Sequence, residues 1–562
     1  MAPRTRRALF SLTVFLASCA VAGSFIGGKV AAQSASDEST LRDSLHEFTD
    51  VYSIVEQNYA EPLNQDMTDK AIYDGAIPGM LHVLDPHSNF YDPKAFAMMR
   101  EEQHGNYFGV GMTIQPQLDK NGTMHVFVLA PFEGTPAFKA GIKPGDMIVS
   151  IDGKAADGLD STAVASMLKG PKGTHVSVVM AREGKDQPLT FDLVRDEIPH
   201  PSVDLAFLLK PGVGYIHILN FSSETTSREV GDALDKFQAA NGNLHGLIID
   251  LRANPGGLLN EAVNVSDKFL QKGQVVVSQH GRAFHDQVYT ATHGEEGSTK
   301  YPIVVLVNRN TASAAEIVSG ALQDHDRALI VGETTFGKGL VQTVFPVAEN
   351  TGLALTTYHY YTPSGRLIQR SYDGVSLYDY YYVRDDAKKA DKSNTEVKLT
   401  DSGRTVYGGG GITPDEKADG GNFDPASYNR FQISLFQHHA FAPAPVGSDF
   451  NPGVGDFVKH YLVVHGSVGH DFVVDDAVMQ QFKDFLKANQ IEFTDADIAG
   501  VQDWIKTNIK AELFTWQFGQ LEGLKVAAEA DPEIIKAMSF LPEALALVDR
   551  SKGQQNTASL VH

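Results

Sequence analysis

From Val213 to about Asp324 the chain alternates short apolar runs with helical stretches, and this alternation narrows the fold more than any other feature. GYIHILNF (Gly214–Phe221) leads to a helical pattern over about Glu224–Ala240 and then to the strand HGLIIDL. A turn, a helix from Leu258, the strands QVVVS and IVVLVN, and one more helical stretch follow. Runs that are apolar on both faces predict strands buried between layers, so this part of the chain reads as an α/β core.

The last of those strands, Ile303–Asn308, opens onto TASAAEIVSGALQDHDRALIVGETTFGKGLVQ, Thr311–Gln342. Thr311 to about Asp324 has helical spacing, so Ser313 falls at a strand-to-helix turn among amides that the first helical turn leaves unpaired. A nucleophile whose product oxygen becomes negative is favoured there. Ser313 and Glu316 also spell Ser-x-x-Glu, a helix-capping pattern, and the fragment alone supports either reading. Phe336-Gly337-Lys338-Gly339 sets a lysine between two glycines, where the backbone turns sharply and approaches a neighbour closely. Gln342 follows four positions on and shares its face. A desolvated lysine can serve as the base a serine needs, and burial in an apolar pocket favours its neutral form. An exposed lysine in a glycine turn is the plainer reading of FGKG by itself.

Together these motifs resemble those of the carboxyl-terminal processing (tail-specific) proteases, PDZ-containing serine peptidases with a Ser-Lys dyad. TASAAEI is similar to the family's nucleophile motif, with alanine where serine is common just before the glutamate. FGKG with Gln342 is similar to its lysine motif. The resemblance implies Ser313 as nucleophile, Lys338 as general base, Gln342 as the residue orienting the lysine, and a protease core of the crotonase-like type working without metal or cofactor. Arg252–Gly257 (RANPGG) resembles the family's RNNPGG turn, whose glycines let amides approach a ligand. Gly256 or Gly257 is therefore expected as one oxyanion donor, with the Ala314 amide as the other. A plain β-α connection accounts for Pro-Gly-Gly in isolation. LALTTYHYYTPSGR (Leu353–Arg366) and GITPD (Gly411–Asp415) match the family as well, and the likeness covers most of Leu41–Asp415.

Residues 106–197 read as a β-rich PDZ domain. Short strand-like runs (Gly111–Gln115, His125–Leu129, Met147–Ile151, Val176–Ala181) are separated by Gly, Pro and Asp. Phe108-Gly109-Val110-Gly111 before a strand, and AGIKPGDMIVSIDG (Ala140–Gly153), resemble PDZ domains specifically. Successive amides across Phe108, Gly109, Val110, Gly111 and Met112 offer a cradle for a carboxylate, and the adjacent strand edge can accept a peptide. Capture of a polypeptide C-terminus and use as a mere spacer both fit.

The remaining segments carry no chemistry of their own. Arg4, Arg6 and Arg7 precede an apolar run from Ala8 to Gly28, so residues 1–35 read as a targeting segment. Leu16-Ala17-Ser18-Cys19 resembles a lipobox; lipidation at Cys19, an uncleaved membrane anchor, or cleavage after Ala32 each places the body in the bacterial envelope, on the periplasmic side. Cys19 is the only cysteine, so no intrachain disulfide or Cys-based zinc site forms. The formal net charge of -22 disfavours nucleic acid as a partner. Residues 36–105 are expected to form a helical N-terminal region, structural or dimerising, and 198–415 the peptidase core with an inserted loop near 372–410. Residues 416–562 are expected to form a helical C-terminal domain that docks on the core, makes homo-oligomers or binds an adaptor. The whole reads as a multidomain α/β endopeptidase of the envelope acting on unfolded or C-terminally exposed proteins. A non-catalytic PDZ scaffold or ligand-binding protein on the same fold is the alternative.

Overall fold

The structure, a computed structural model, describes residues 41–558 apart from 119–122, 183–184, 242–243, 295–300, 348–349, 383–395, 419–453 and 490–492. The segment expected to target the chain, 1–35, lies outside the described residues. The chain divides into two compact units, one running to Val83 and the other from Leu84. In the first unit a helix spans 41–58, and Leu45, Phe48, Val51 and Ile54 recur along it at helical spacing, all of them exposed. A second helical run follows in three parts, Gln65–Lys70, Ala71–Ala76 with π-type bonding, and Ile77–His82.

The division at Val83 splits the region expected to be helical over 36–105. Its later part belongs to the second unit, where Asn89–Tyr91 pairs antiparallel with Gly352–Tyr361. The helix Pro93–Gln103 starts where Asp92 Oδ1 accepts the Ala95 amide at 2.7 Å and Pro93 occupies the first turn.

The PDZ-like segment forms an antiparallel sheet of Met112–Leu118, Met124–Pro131, Met147–Ile151, His175–Ala181 and Leu189–Val194, with Lys154–Ala155 as a short partner of Met147–Ile151. Val126, Val128, Ile148, Ile151, Val178 and Met180 alternate inward to make its core. The helix Ser161–Leu168 begins with Asp160 Oδ1 accepting the Ala163 amide at 2.7 Å. Asn106–Gly109 pairs with Asp196–Pro199 and so ties the segment's entry to its exit.

The predicted α/β core is present. Its sheet runs in the order Val203–Lys210, Val213–Ile218, Gly246–Asp250, Ile303–Val307, Leu329–Gly332; the first pair is antiparallel and the others parallel. Both faces are covered, which explains the unbroken apolar runs. Leu247, Ile249, Ile303, Val305 and Ile330 pack with residues of the helices Thr226–Asn241, Leu259–Phe269 and Ala314–Asp324. Ile248, Val304, Leu306, Leu329 and Val331 pack instead with Ala528, Ile534, Ala537, Ala544 and Leu547 of the C-terminal helices. Arg252 reinforces this docking, bonding Asp250 on the sheet, Asp531 at 2.9 Å, and Glu533.

The rest of the C-terminal region, Val454–His465, Asp476–Ala488 and Gln502–Phe518 in the main, builds a separate apolar core around Phe457, Phe482, Ile505 and Leu513. Helical periodicity in the sequence runs unbroken over Asp495–Leu513 and over Pro532–Leu547, yet the structure interrupts both. Asp495–Leu513 is Asp495–Ala499 followed by Gln502–Phe518, and Pro532–Leu547 is Pro532–Ser539 followed by Leu541–Ala558. Within the insertion the described residues form a short helix, Leu377–Tyr382, and a two-strand pair, Val397–Leu399 with Thr405–Tyr407.

Candidate active site

The strand Ile303–Val307 delivers the chain into a tight turn before the helix Ala314–Asp324. Thr311, fully buried, shapes it: its Oγ1 accepts the Asn308 amide at 2.9 Å and donates to the Leu251 carbonyl at 2.7 Å. Ser313 is the helix N-cap, at φ 54° and ψ -115°. A non-glycine residue in such a conformation stores on the order of 1–3 kcal/mol of strain, and strain of this kind clusters at working sites. The Ser313 amide donates to Glu316 Oε2 at 2.8 Å, the half of the capping box that runs through the glutamate.

The Arg252–Gly257 turn packs directly on this one. Ala312 N–H donates to the Asn254 carbonyl at 2.9 Å, and buried Asn254 reaches on to the Ile218 carbonyl through Nδ2 at 2.6 Å. Gly256 sits so close that an added Cβ would lie 2.7 Å from Ser313 Cβ and 2.8 Å from the Ala314 nitrogen. This corrects the expectation that Gly256 could serve as an oxyanion donor, because its amide donates to Asn254 Oδ1 at 2.8 Å. Gly256 supplies closeness and not a free N–H. Among the described residues the amides of Gly257 and Ala314 have no hydrogen-bond acceptor.

The lysine turn arrives from the other side of the sequence. Lys338 lies between the strands Leu329–Gly332 and Leu340–Pro346, and its amide donates to Glu316 Oε2 at 2.9 Å. One carboxylate oxygen therefore binds the amides of both Ser313 and Lys338. Burial holds the Lys338 amine down from 10.5 to about 8, against the opposing charges of Glu316 and Asp85. Gln342 is not in hydrogen-bond contact with Lys338; its Nε2 donates to Thr356 Oγ1 at 3.0 Å, and the strand bulges between Val341 and Gln342.

Two groups here were not singled out from the sequence. Asp85-Pro86-His87-Ser88 lies beside the lysine turn, with Asp85 accepting both amides of His87 and Ser88 at 2.8 Å and Ser88 Oγ accepting the Thr356 amide at 3.0 Å. His87 is held neutral, its pKa lowered to about 3 by burial and then by the Lys338 charge. The insertion's helix Leu377–Tyr382 covers this loop: Tyr380 Oη meets His87 Nε2 at 2.9 Å and Tyr381 Oη donates to the Pro86 carbonyl at 2.7 Å. The second group is Tyr360, whose buried hydroxyl lies 2.6 Å from the Lys338 carbonyl and 3.1 Å from that of Ser313. The sequence signal for His87 was the Asp-Pro-His-Ser string itself; Tyr360 carried none beyond a strand-like run.

In the PDZ-like segment, Gly109, Val110, Gly111 and Met112 line a narrow cleft of about 60 Å³ with Leu168 and Lys169. Phe108 does not; its side chain is exposed, and its carbonyl accepts the Gly170 amide at 3.2 Å. Gly111, at φ 80°, packs where a Cβ would strike Thr135 at 2.4 Å. At the cleft, Lys169 pairs with Glu101 at 3.0 Å and lies 4.7 Å from the centre of the Tyr107 ring.

An α/β core presenting a serine at a helix start, joined to a PDZ-like sheet, is the arrangement a PDZ-containing serine peptidase requires. The models of Peptidase family S41 and of the PDZ domain match residues 212–376 and 127–182. The carboxy-terminal-processing protease of Bartonella bacilliformis is 39% identical over 356 residues, covering 62% of this chain and 79% of its own. The carboxy-terminal processing protease CtpA of Bacillus subtilis is 32% identical over 386 residues, covering 67% of this chain and 79% of its own. Among solved structures, the photosystem II D1 C-terminal processing protease aligns with a TM-score of 0.32 at 34% identity, covering 56% of this chain and 82% of its own. The chain belongs to the carboxy-terminal processing proteases, serine peptidases of family S41.

Proposed function

We propose that the protein is an envelope endopeptidase that takes hold of polypeptide C-termini through its PDZ domain and cleaves with a Ser313–Lys338 dyad. The observation that carries this reading is a buried lysine with its pKa held at about 8, on a turn whose amide shares one carboxylate oxygen with the amide of a strained serine. Ser313 Oγ attacks the peptide carbonyl as neutral Lys338 Nζ takes its proton. The amides of Gly257 and Ala314 receive the oxyanion, Lys338 returns the proton to the leaving amine, and water repeats the cycle on the acyl-enzyme. The glycine-lined cleft receives the substrate's terminal carboxylate. The basic then apolar start of the chain supports an envelope location, with lipid on Cys19 as one means of attachment.

Incubation with denatured casein tests the reading. Wild-type protein is expected to cleave it, and Ser313→Ala and Lys338→Ala to leave it intact while remaining folded. Cleavage by either variant, purified free of host proteases, removes the dyad; no cleavage by the wild type favours the scaffold alternative.

A further inference from the structure

We infer that Glu316 and Tyr360 are positioning residues that clamp the two reactive turns together, Glu316 holding their amides and Tyr360 their carbonyls. The inference rests on the Ser313–Lys338 reading and extends it to residues that touch neither substrate nor the reacting atoms.

The two turns belong to different strand-to-element junctions, so nothing in the local chain fixes their spacing. Glu316 supplies that link. Its Oε2 accepts from Ser313 N at 2.8 Å and Lys338 N at 2.9 Å, and its Oε1 from Gly337 N at 2.7 Å and from the Thr335 hydroxyl. Thr335 Oγ1 in turn accepts the Ile412 amide at 2.7 Å, which commits its proton to Glu316. All four partners of the carboxylate are thus donors. Burial pushes the Glu316 carboxyl upward and these bonds pull it down; only the ionised form gives every donor an acceptor. Tyr360 supplies the second link. Burial keeps its hydroxyl protonated, and it donates toward the Lys338 and Ser313 carbonyls at 2.6 and 3.1 Å.

Helix capping alone does not account for this arrangement. A cap requires the Ser313–Glu316 contact and neither a bond to Lys338 nor a tyrosine hydroxyl between the two carbonyls. Both clamping side chains stand on rigid elements, the helix Ala314–Asp324 and the strand Gly352–Tyr361, and both are buried. Preorganisation of this kind matters because a displacement of about 1 Å between reacting groups costs on the order of 10²-fold in rate. The groups facing Lys338 are Glu316 from its helix, Asp85 and His87 from the loop before Asn89–Tyr91, and the Tyr360 hydroxyl at its carbonyl.

The test measures kcat and KM of the full chain on one unfolded protein substrate across the neutral and alkaline range, for Tyr360→Phe and Glu316→Gln beside the wild type, with Ser313→Ala as control. Tyr360→Phe is expected to lower kcat by about 10-fold with KM unchanged and melting temperature nearly so. Glu316→Gln is expected to lower kcat by on the order of 10²-fold and to move the acid limb of the profile to lower pH. The direction follows from the charge: Glu316 supports the protonated lysine, so its neutralisation lowers the Lys338 pKa further. If Glu316→Gln does not fold, Tyr360→Phe decides alone, because it leaves the carboxylate network in place. An unchanged kcat in Tyr360→Phe, or an effect confined to KM, overturns the clamp. Activity in Ser313→Ala would instead overturn the dyad beneath it, so the two failures are told apart.

Discussion

The Ser313 and Lys338 turns and the PDZ cleft are tied down by different kinds of bond. Around Ser313 and Lys338 the ties are buried hydrogen bonds to Glu316, Asn254 and Tyr360, backed by an Arg366–Asp324 ion pair whose side chains are 0% and 1% exposed. The cleft has buried ties as well, Thr135 Oγ1 to the Gly111 carbonyl at 3.0 Å and Arg195 Nε to the Leu168 carbonyl at 3.0 Å, but it adds an exposed pair, Lys169 with Glu101, at 40% and 35% exposed. Breaking a buried pair strands a charge away from water, whereas solvent takes over when an exposed pair opens. The Ser313 and Lys338 turns are therefore tied by bonds to buried side chains, whereas the cleft carries one pair that solvent can replace.

The largest effect expected from this contrast is at the lysine. If the proposed dyad holds, Lys338→Met abolishes proteolysis, and the variant should melt higher than the wild type at neutral pH. The folded protein holds this lysine at about 8 against an ordinary 10.5, so burying it charged costs roughly 3 kcal/mol below pH 8. The unfolded chain binds the extra proton between those values, so wild-type stability rises with pH through that window and the variant's advantage fades. A lower melting temperature for Lys338→Met at neutral pH would mean that the lysine is not a strained, desolvated base. Next comes Asp324→Asn, which leaves the Arg366 guanidinium buried without its charge partner and should lower stability by about 3–5 kcal/mol. Chemical denaturation followed by near-UV signal would measure it, and a loss no larger than that of a surface pair would erase the contrast. The smallest effect belongs to Glu101→Gln, at less than about 1 kcal/mol of stability. It should nonetheless tighten binding of a free-carboxylate tail peptide, because Lys169 is released toward the cleft; fluorescence anisotropy with labelled peptide reads this out, and unchanged affinity would remove Lys169 from recognition.

How much of this was legible in the sequence depended on how local the signal was. Ser313, Lys338 and the Pro-Gly-Gly turn stand in short strings with their own turn chemistry, and the buried parallel strands announce themselves as apolar on both faces. Glu316 was readable only as a cap, because its other partners, Thr335, Gly337 and Lys338, come from a turn that the fold brings back to it. Gly256 and Gly257 look alike in sequence; what separates them is the Asn254 side chain, which takes the Gly256 amide. Tyr360 reads as one more strand aromatic, since its hydroxyl's task is set by two carbonyls from distant turns. The break at Phe540 leaves no mark in the sequence, because apolar spacing continues across it from Ile534 to Leu547.

The central claim is that Lys338 works as a neutral base, and the pH dependence of kcat/KM for the free enzyme tests it most directly. Because the base must be unprotonated, the rate should climb tenfold per pH unit on the acid side and level off above an apparent pKa of about 8. A limb that levels off only near 10.5, the ordinary value for lysine, would contradict the account.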